Sequence, residues 1–219
     1  MLKLQFDPLN PEGKEYERWI FIELCKLVKA GKMEKNHAAA IMANIMIECH
    51  FKLISEDPDY RYKTKSGAQP YLKYKDNPVG YFNARYGYST SVGKDLGNKK
   101  PNDGYTFRGR GFCQLTGREL YQRASKSLGV DFISNPELVL QKEYAFKIAV
   151  AFFMGWNGGF FSSPFRVLPK IMPNGSTDFV QSRLCINPGE VRNPTKFAKK
   201  LSDVRRFGNA YLKIFNIVL

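Results

Sequence analysis

Apolar residues near the start of the chain recur with helical rather than strand periodicity. Trp19, Phe21, Leu24, Leu27 and Val28 mostly share one stripe, with Asn10-Pro11 as cap and first-turn proline and Gly31 as stop. Asn36 reads as the cap of a second helix running through AAAIMANIMIE to about Cys49. That segment is apolar nearly all round, the pattern of a buried helix. Residues 51–107 then change character, being rich in Tyr, Lys, Gly, Asp and Pro with weak periodicity. They predict loops, a short helix near Val79–Tyr86 and a small hairpin around 104–115. Thr116-Gly117-Arg118-Glu119 has the form of a capping box and predicts a helix to about Leu128. Asn135-Pro136 opens a long helix through about Trp156, with Leu138, Phe146, Val150 and Phe153 at apolar positions. Gly158-Gly159 breaks it, and a loop with Pro164, Pro169, Pro173 and Gly175 follows. Thr177–Cys185 reads as a short helix, and Asn193-Pro194 opens a last one ending near Phe215. With no internal repeat and no low-complexity linker, the expectation is one domain over residues 1–219. It is mainly α, of an α+β kind, with a small irregular or hairpin lobe walling a substrate cleft, since long irregular stretches within compact domains are usually functional.

Against this background one carboxylate stands out. Glu48 follows Ile45, Met46 and Ile47 near the end of the apolar second helix. Burial there would disfavour its charged form, and the negative end of the helix dipole would act in the same direction. A carboxyl kept protonated near neutral pH is what a glycosidase needs to protonate a leaving sugar oxygen. The plainer alternative is a glutamate facing solvent at a helix end. A second carboxylate is then required, and Glu56, Asp57 and Asp59 in SEDPDY all qualify by type, although Asp-Pro-Asp is also ordinary turn chemistry. Thr116 combines its expected capping role with the ability to hold a water. Gln114 lies two residues earlier, on the same face of an extended segment. The Arg108-Gly109-Arg110-Gly111 turn allows close backbone approach. The tyrosines of the middle region, Tyr60 and Tyr105 among them, offer rings and hydroxyls to sugars, or simply pack.

Charge narrows the partners. Lys plus Arg total 34 against 20 Asp plus Glu, a formal charge of +14. Such a field favours polyanions: nucleic acid, anionic membrane, or a bacterial wall with peptide carboxylates and phosphates. No base-reading module accompanies the charge, so nucleic acid is not the expected partner. No apolar run is long enough to span a membrane, and stable insertion is not expected. Cys25, Cys49, Cys113 and Cys185 are widely spaced without a CxxC pair, which predicts free thiols and no metal site. No cofactor is implied. MLKLQFDPLNPEGKE lacks the apolar core of a secretory signal. If the protein acts on a wall, it must leave the cell by lysis, by a pore or as part of a particle.

FRGRGFCQLTGRELYQ, residues 107–122, resembles the central motif of the family 19 glycoside hydrolases, of the form GRG-x-x-QLTGR-x-NY. That family covers plant-type chitinases and many phage endolysins. ANIMIECHF resembles the segment presenting the family's acid, SEDPDY the acidic segment after it, PVGYFNARYG its asparagine-and-arginine helix, and RLCINPGE its TR-x-INGG segment. The resemblance spans roughly residues 37–210 in the right order. It implies a lysozyme-like fold and an inverting glycosidase, with Glu48 as general acid, Glu56 as the second acidic group and Thr116 positioning the attacking water. Gln114 and Asn187 fall on substrate-binding positions, with Tyr60, Tyr105 and Arg110 expected beside them, while Arg118 and Tyr121 fall on structural ones. The sequence departs from the pattern at Leu120 in place of Asn, at Cys49-His50 in place of Ser-Gly and at Pro188-Gly189 in place of Gly-Gly, and Asn44 stands where no His precedes the acid. The endolysin-like motifs and the basic charge point to bacterial peptidoglycan, cleaved by a muramidase. A chitinase, a lytic transglycosylase, an amidase using Cys113 with His50, and a non-catalytic wall binder are the alternatives.

Overall fold

A computed structural model describes residues 11–155 and 167–219. Asn10, Trp156, Gly158-Gly159 and Pro164, which the sequence reading used as helix signals, lie outside the described residues. The rest is mainly helical, with two isolated antiparallel bridges, Ser55 to Arg110 and Arg110 to Leu115, where the hairpin was expected. The chain divides into two compact units, one built from the segments up to Leu53 and from Ala145 onward, the other from Ile54–Tyr144.

The first unit contains α1 (Pro11–Lys29), α2 (Lys35–Cys49), most of α7 (Lys142–Met154), α8 (Leu168–Ile171), α9 (Pro188–Arg192) and α10 (Ala198–Val218). α2 packs chiefly against α10 and also against α1, and its buried residues lie on every face, as its apolar pattern predicts. The expected cap is replaced, however. The helix begins at Lys35 after Glu34, while the Asn36 side chain donates to the carbonyls of Pro173 and Ser176, tying α2 to a distant loop. On α10, a Cβ added at Gly208 would stand 2.2 Å from the Phe179 ring, so this glycine lets the ring lie against the helix backbone. Buried Tyr211, on the same helix, donates its hydroxyl to buried Glu17 of α1 at 2.5 Å. Burial and the adjacent carboxylate push this phenol far up, so it stays a donor.

Helix boundaries differ from the expectation at three places. The predicted 136–156 helix is a 3-10 turn, Pro136–Leu140, broken at the extended residue Gln141 before α7. The 177–185 element is a 3-10 turn over Gln181–Cys185. The last helix starts at Ala198, because Pro188 and Asn193 delimit the separate α9.

The second unit carries α3 (Pro78–Tyr86), α4 (Ser91–Asp95), α5 (Asp103–Thr106) and α6 (Arg118–Leu128). Asn77 caps α3 by accepting from the Gly80 amide. The capping box at Thr116 does not form: α6 follows Gly117 at φ 91°, and the Thr116 hydroxyl donates to the Gln114 carbonyl instead. The first amides of α6 are satisfied from elsewhere, Arg118 by Asn98 Oδ1 at 2.8 Å and Glu119 by the Leu96 carbonyl at 3.2 Å.

Buried Asp103 completes this junction. It accepts from Arg118 Nε at 2.7 Å and Nη2 at 2.6 Å, and from the Lys99 and Lys100 amides at 2.7 and 2.9 Å. Burial opposes its charge, but the guanidinium and the two amides outweigh it and hold the carboxyl below the usual range. A carboxyl depressed in the folded state contributes stability above the unfolded pKa of about 3.9 and loses it as pH falls through the folded value. Asp103→Asn should therefore lower stability at pH 7 by on the order of 3 kcal/mol, with the gap to wild type closing toward pH 3. Urea titrations of both proteins at the two pH values test this, and a gap independent of pH would contradict it.

Candidate active site

In the first unit Glu48 occupies the last turn of α2. The chain then passes through two left-handed non-glycine residues, His50 at φ 49° and Phe51 at φ 59°. Such a pair is costly and persists only where packing fixes it. Here Phe51 is buried edge-on against Tyr211, with centroids 6.4 Å apart. The strained exit thus terminates α2 directly after Glu48 and fixes where its carboxyl points.

The surroundings of Glu48 correct the expectation of an apolar pocket. Glu48 Oε1 accepts from Arg183 Nη2 at 2.5 Å, and the Lys200 ammonium lies 3.6 Å from the same oxygen. Arg183 is fully buried on the 3-10 turn and spends all three nitrogens: Nε on Glu190 Oε2 at 2.8 Å, Nη1 on Asn44 Oδ1 at 2.9 Å, Nη2 on Glu48. Glu190 also accepts from Lys200 at 2.8 Å and from Asn187 Nδ2 at 3.2 Å. Burial opposes the Glu190 charge, but Arg183 and Lys200 more than offset it and hold the carboxyl below its ordinary value. Asn44 donates onward to Ser182 Oγ and to the Ala40 carbonyl, so α2 is pinned to the turn that carries Arg183. The result is a network of two carboxylates and two cations in which one guanidinium aims Glu48. Asn187 is exposed above it. Sequence reasoning found Glu48 and Asn187 and missed Arg183, Glu190, Lys200 and the role of Asn44. RLCINPGE held the signal, a basic and an acidic residue bracketing the asparagine.

In the second unit the predicted Glu56, Gln114 and Thr116 are brought together around Gly109. The Glu56 amide donates to the Gly109 carbonyl at 2.7 Å, and the Gly109 amide returns a bond to Glu56 Oε2 at 3.3 Å. A Cβ at Gly109 would stand 2.7 Å from Gln114 Oε1 and 3.2 Å from both Glu56 Oε2 and Thr116 Oγ1. Three polar tips therefore converge on one bare backbone position. Tyr86 donates its hydroxyl to Glu56 Oε1 at 2.8 Å, and burial together with that carboxylate pushes the phenol well up, keeping it a donor. Gln114, left-handed at φ 52°, is held by bonds from Nε2 to the Gly111 and Ile54 carbonyls. This leaves Glu56 anchored through one oxygen by a phenol and more loosely through the other by the Gly109 amide, with a hydroxyl and an amide oxygen beside it, an arrangement able to orient a small polar molecule.

Other predicted contacts fall elsewhere. Arg110, expected at the substrate, is 1% exposed. Its guanidinium binds Glu137 at 2.5 Å, the Tyr121 hydroxyl at 2.9 Å and the Thr106 carbonyl at 2.8 Å, so it braces the turn from inside and has no surface to offer a sugar. Tyr105 has one face covered by the Arg108 guanidinium at 4.4 Å, and half-buried Tyr60 packs edge-on against Tyr81 at 5.4 Å. Arg118 and Tyr121 are framework residues. Cys113, Cys49 and Cys185 are buried.

Residues 71–175 match the glycoside hydrolase family 19 described as chitinase class I. The crystal structure of a chitinase C, in a glutamate-to-glutamine mutant form, superposes with a TM-score of 0.52 at 20% identity, covering 81% of this chain and 72% of its own. No curated protein matches significantly. Over residues 71–175 the chain is thus similar to the family 19 glycoside hydrolases, its mainly helical fold is that of the chitinase neighbour, and these findings support a glycosidase.

The convergence at Gly109 carries a prediction. The nearest atom to an added methyl is the far end of a flexible glutamine, so Gly109→Ala should fold with little loss of stability, yet displace Gln114 from Glu56 and Thr116. Activity should fall on the order of 100-fold, the scale of misplacing a reacting group by about 1 Å. Unchanged turnover in a folded Gly109→Ala protein would show that this cluster takes no part in the reaction.

Proposed function

We propose that the protein is an endolysin-type muramidase, cleaving the β-1,4 glycan of bacterial peptidoglycan by an inverting acid/base mechanism. The mechanism is supported by one prepared carboxylate within each unit, Glu48 aimed by Arg183 in the first and Glu56 grouped with Thr116 and Gln114 around a bare glycine in the second. In this reading Glu48 protonates the leaving oxygen. Glu56 and Thr116 hold the water that attacks the opposite face of the sugar, as inverting glycosidases require. Gln114 and Asn187 contact the glycan, with Tyr60 and Tyr105 at its edges. The +14 charge supports the anionic wall over neutral chitin. The protein acts as a monomer, after release from the host cytoplasm or as part of a virion.

Chitin is the second reading. It is favoured by the description of the matched family and shares the same β-1,4-linked N-acetylglucosamine chemistry. Mass spectrometry of borohydride-reduced digests separates the two. New reducing ends on N-acetylmuramic acid are the expected product, whereas cleavage of chitooligosaccharides with none of peptidoglycan would replace this reading by a chitinase. An anhydro-sugar product would instead identify a transglycosylase.

A further inference from the structure

A basic cavity of about 550 Å³ lies beside the Glu48 network, within the first unit. Ile47, beside Glu48 on α2, and His50, just past the end of that helix, form one side, and α10 with the residues before it forms the other. Four cations line it, Lys196, Lys199, Lys200 and Arg206, against the single carboxylate of Asp203. Asp203 accepts from Lys199 at 2.8 Å and from Arg206 at 3.3 Å, holding the two cations side by side. The Arg206 guanidinium lies 4.1 Å from the Phe207 ring centroid and the Lys196 ammonium 5.1 Å from that of Phe197. Both of these cations are thus laid over aromatic rings, and Arg206 keeps donors beyond its bond to Asp203. Lys200 belongs both to this cavity and to the catalytic network, 3.6 Å from Glu48 Oε1.

Lys199 and Arg206 share one carboxylate and Lys200 already serves Glu190, so Lys196 and the spare donors of the shared cations are what an outside anion would meet, and a neutral sugar would leave that excess of positive charge unpaired. The cavity is of ligand-binding size. Its position requires the anion to be carried on the sugar next to the bond that Glu48 serves. Resting on the muramidase reading above, we infer that this cavity binds carboxylates of the peptide stem attached to the muramyl residue beside the cleaved bond. It would make the enzyme selective for stem-bearing glycan over bare glycan or chitin.

The test compares peptidoglycan with the same glycan stripped of its stems by an amidase, the lactyl carboxylates so exposed then being converted to neutral amides. Lys196→Gln/Arg206→Gln removes two cavity charges and leaves Lys200 in place. Lys29→Gln/Lys32→Gln removes the same charge from exposed sites outside the cavity. The cavity variant should lose about tenfold in kcat/KM on stem-bearing glycan, the sum of two partly exposed charge contacts, and nothing on stripped glycan. The control variant should match wild type on both. Equal losses on both substrates, or the same loss in the control, would overturn the inference while leaving the muramidase reading standing. A wild-type protein that cleaves neither form but cleaves chitooligosaccharides would overturn that reading and the inference with it.

Discussion

Glu48→Gln is expected to lower glycan cleavage by about 10³-fold, the middle of the range for loss of a general acid, with the fold intact. The structure explains why both should hold. A glutamine keeps an oxygen in place of Glu48 Oε1 to accept from Arg183, and Arg183 keeps Glu190 and Asn44 as partners, so no buried cation is stranded. The proton that the carboxyl delivers in the proposed mechanism is lost altogether. Circular-dichroism melts of both proteins, run beside a reducing-end assay on purified peptidoglycan and chitooligosaccharides, give the answer. A folded Glu48→Gln protein that still turns over on either substrate would remove Glu48 from the mechanism. Cleavage lost together with cooperative melting would instead show that the charge of Glu48 is needed to close the Arg183 network.

What was legible in the sequence is what local chemistry dictates. The apolar run of α2 predicts its burial, because a helix without a polar face has to be surrounded, and the short helix expected near Val79–Tyr86 is α3. The failures are places where a partner far along the chain decides the outcome. The Thr116 pattern fits a capping box, yet the amides of α6 are satisfied by Asn98 and Leu96, which no local pattern announces. Leu138 and Phe146 share an apolar character that hides the extended residue Gln141 between them. The same holds at the site. Glu48 is visible as an acid in an apolar helix, but the guanidinium that aims it lies 135 residues away. A buried arginine looks like any surface cation when read in sequence. Gly109 is legible only as a turn glycine; that Glu56, Gln114 and Thr116 converge on it becomes apparent in three dimensions.

Arg183→Met should be the most destabilising single change at the site. Methionine fills part of the space but leaves Glu190, which is 2% exposed, without its guanidinium, and leaves Glu48 and Glu190 with Lys200 as their remaining shared cation. Removing one partner of a buried ion pair costs about 3–5 kcal/mol, because the remaining charge stays desolvated. The pH dependence has a definite sign. In the wild type the Glu190 carboxyl is depressed, so its contribution is present above the ordinary carboxylate range and is lost as pH falls through the folded value. In Arg183→Met the carboxyl has lost the partner that depressed it, and protonation relieves the stranded charge. The stability gap between the two proteins should therefore shrink as pH is lowered from 7 toward 4. Arg183→Met/Glu190→Gln removes the stranded charge by mutation and should recover a large part of the loss at pH 7, which keeps the argument testable if the single variant does not fold. Urea unfolding of the three proteins at both pH values measures each term. A single-variant loss below about 1 kcal/mol, the scale of an exposed pair, or a double variant no more stable than the single one, would mean that Arg183 aims Glu48 without holding the fold together.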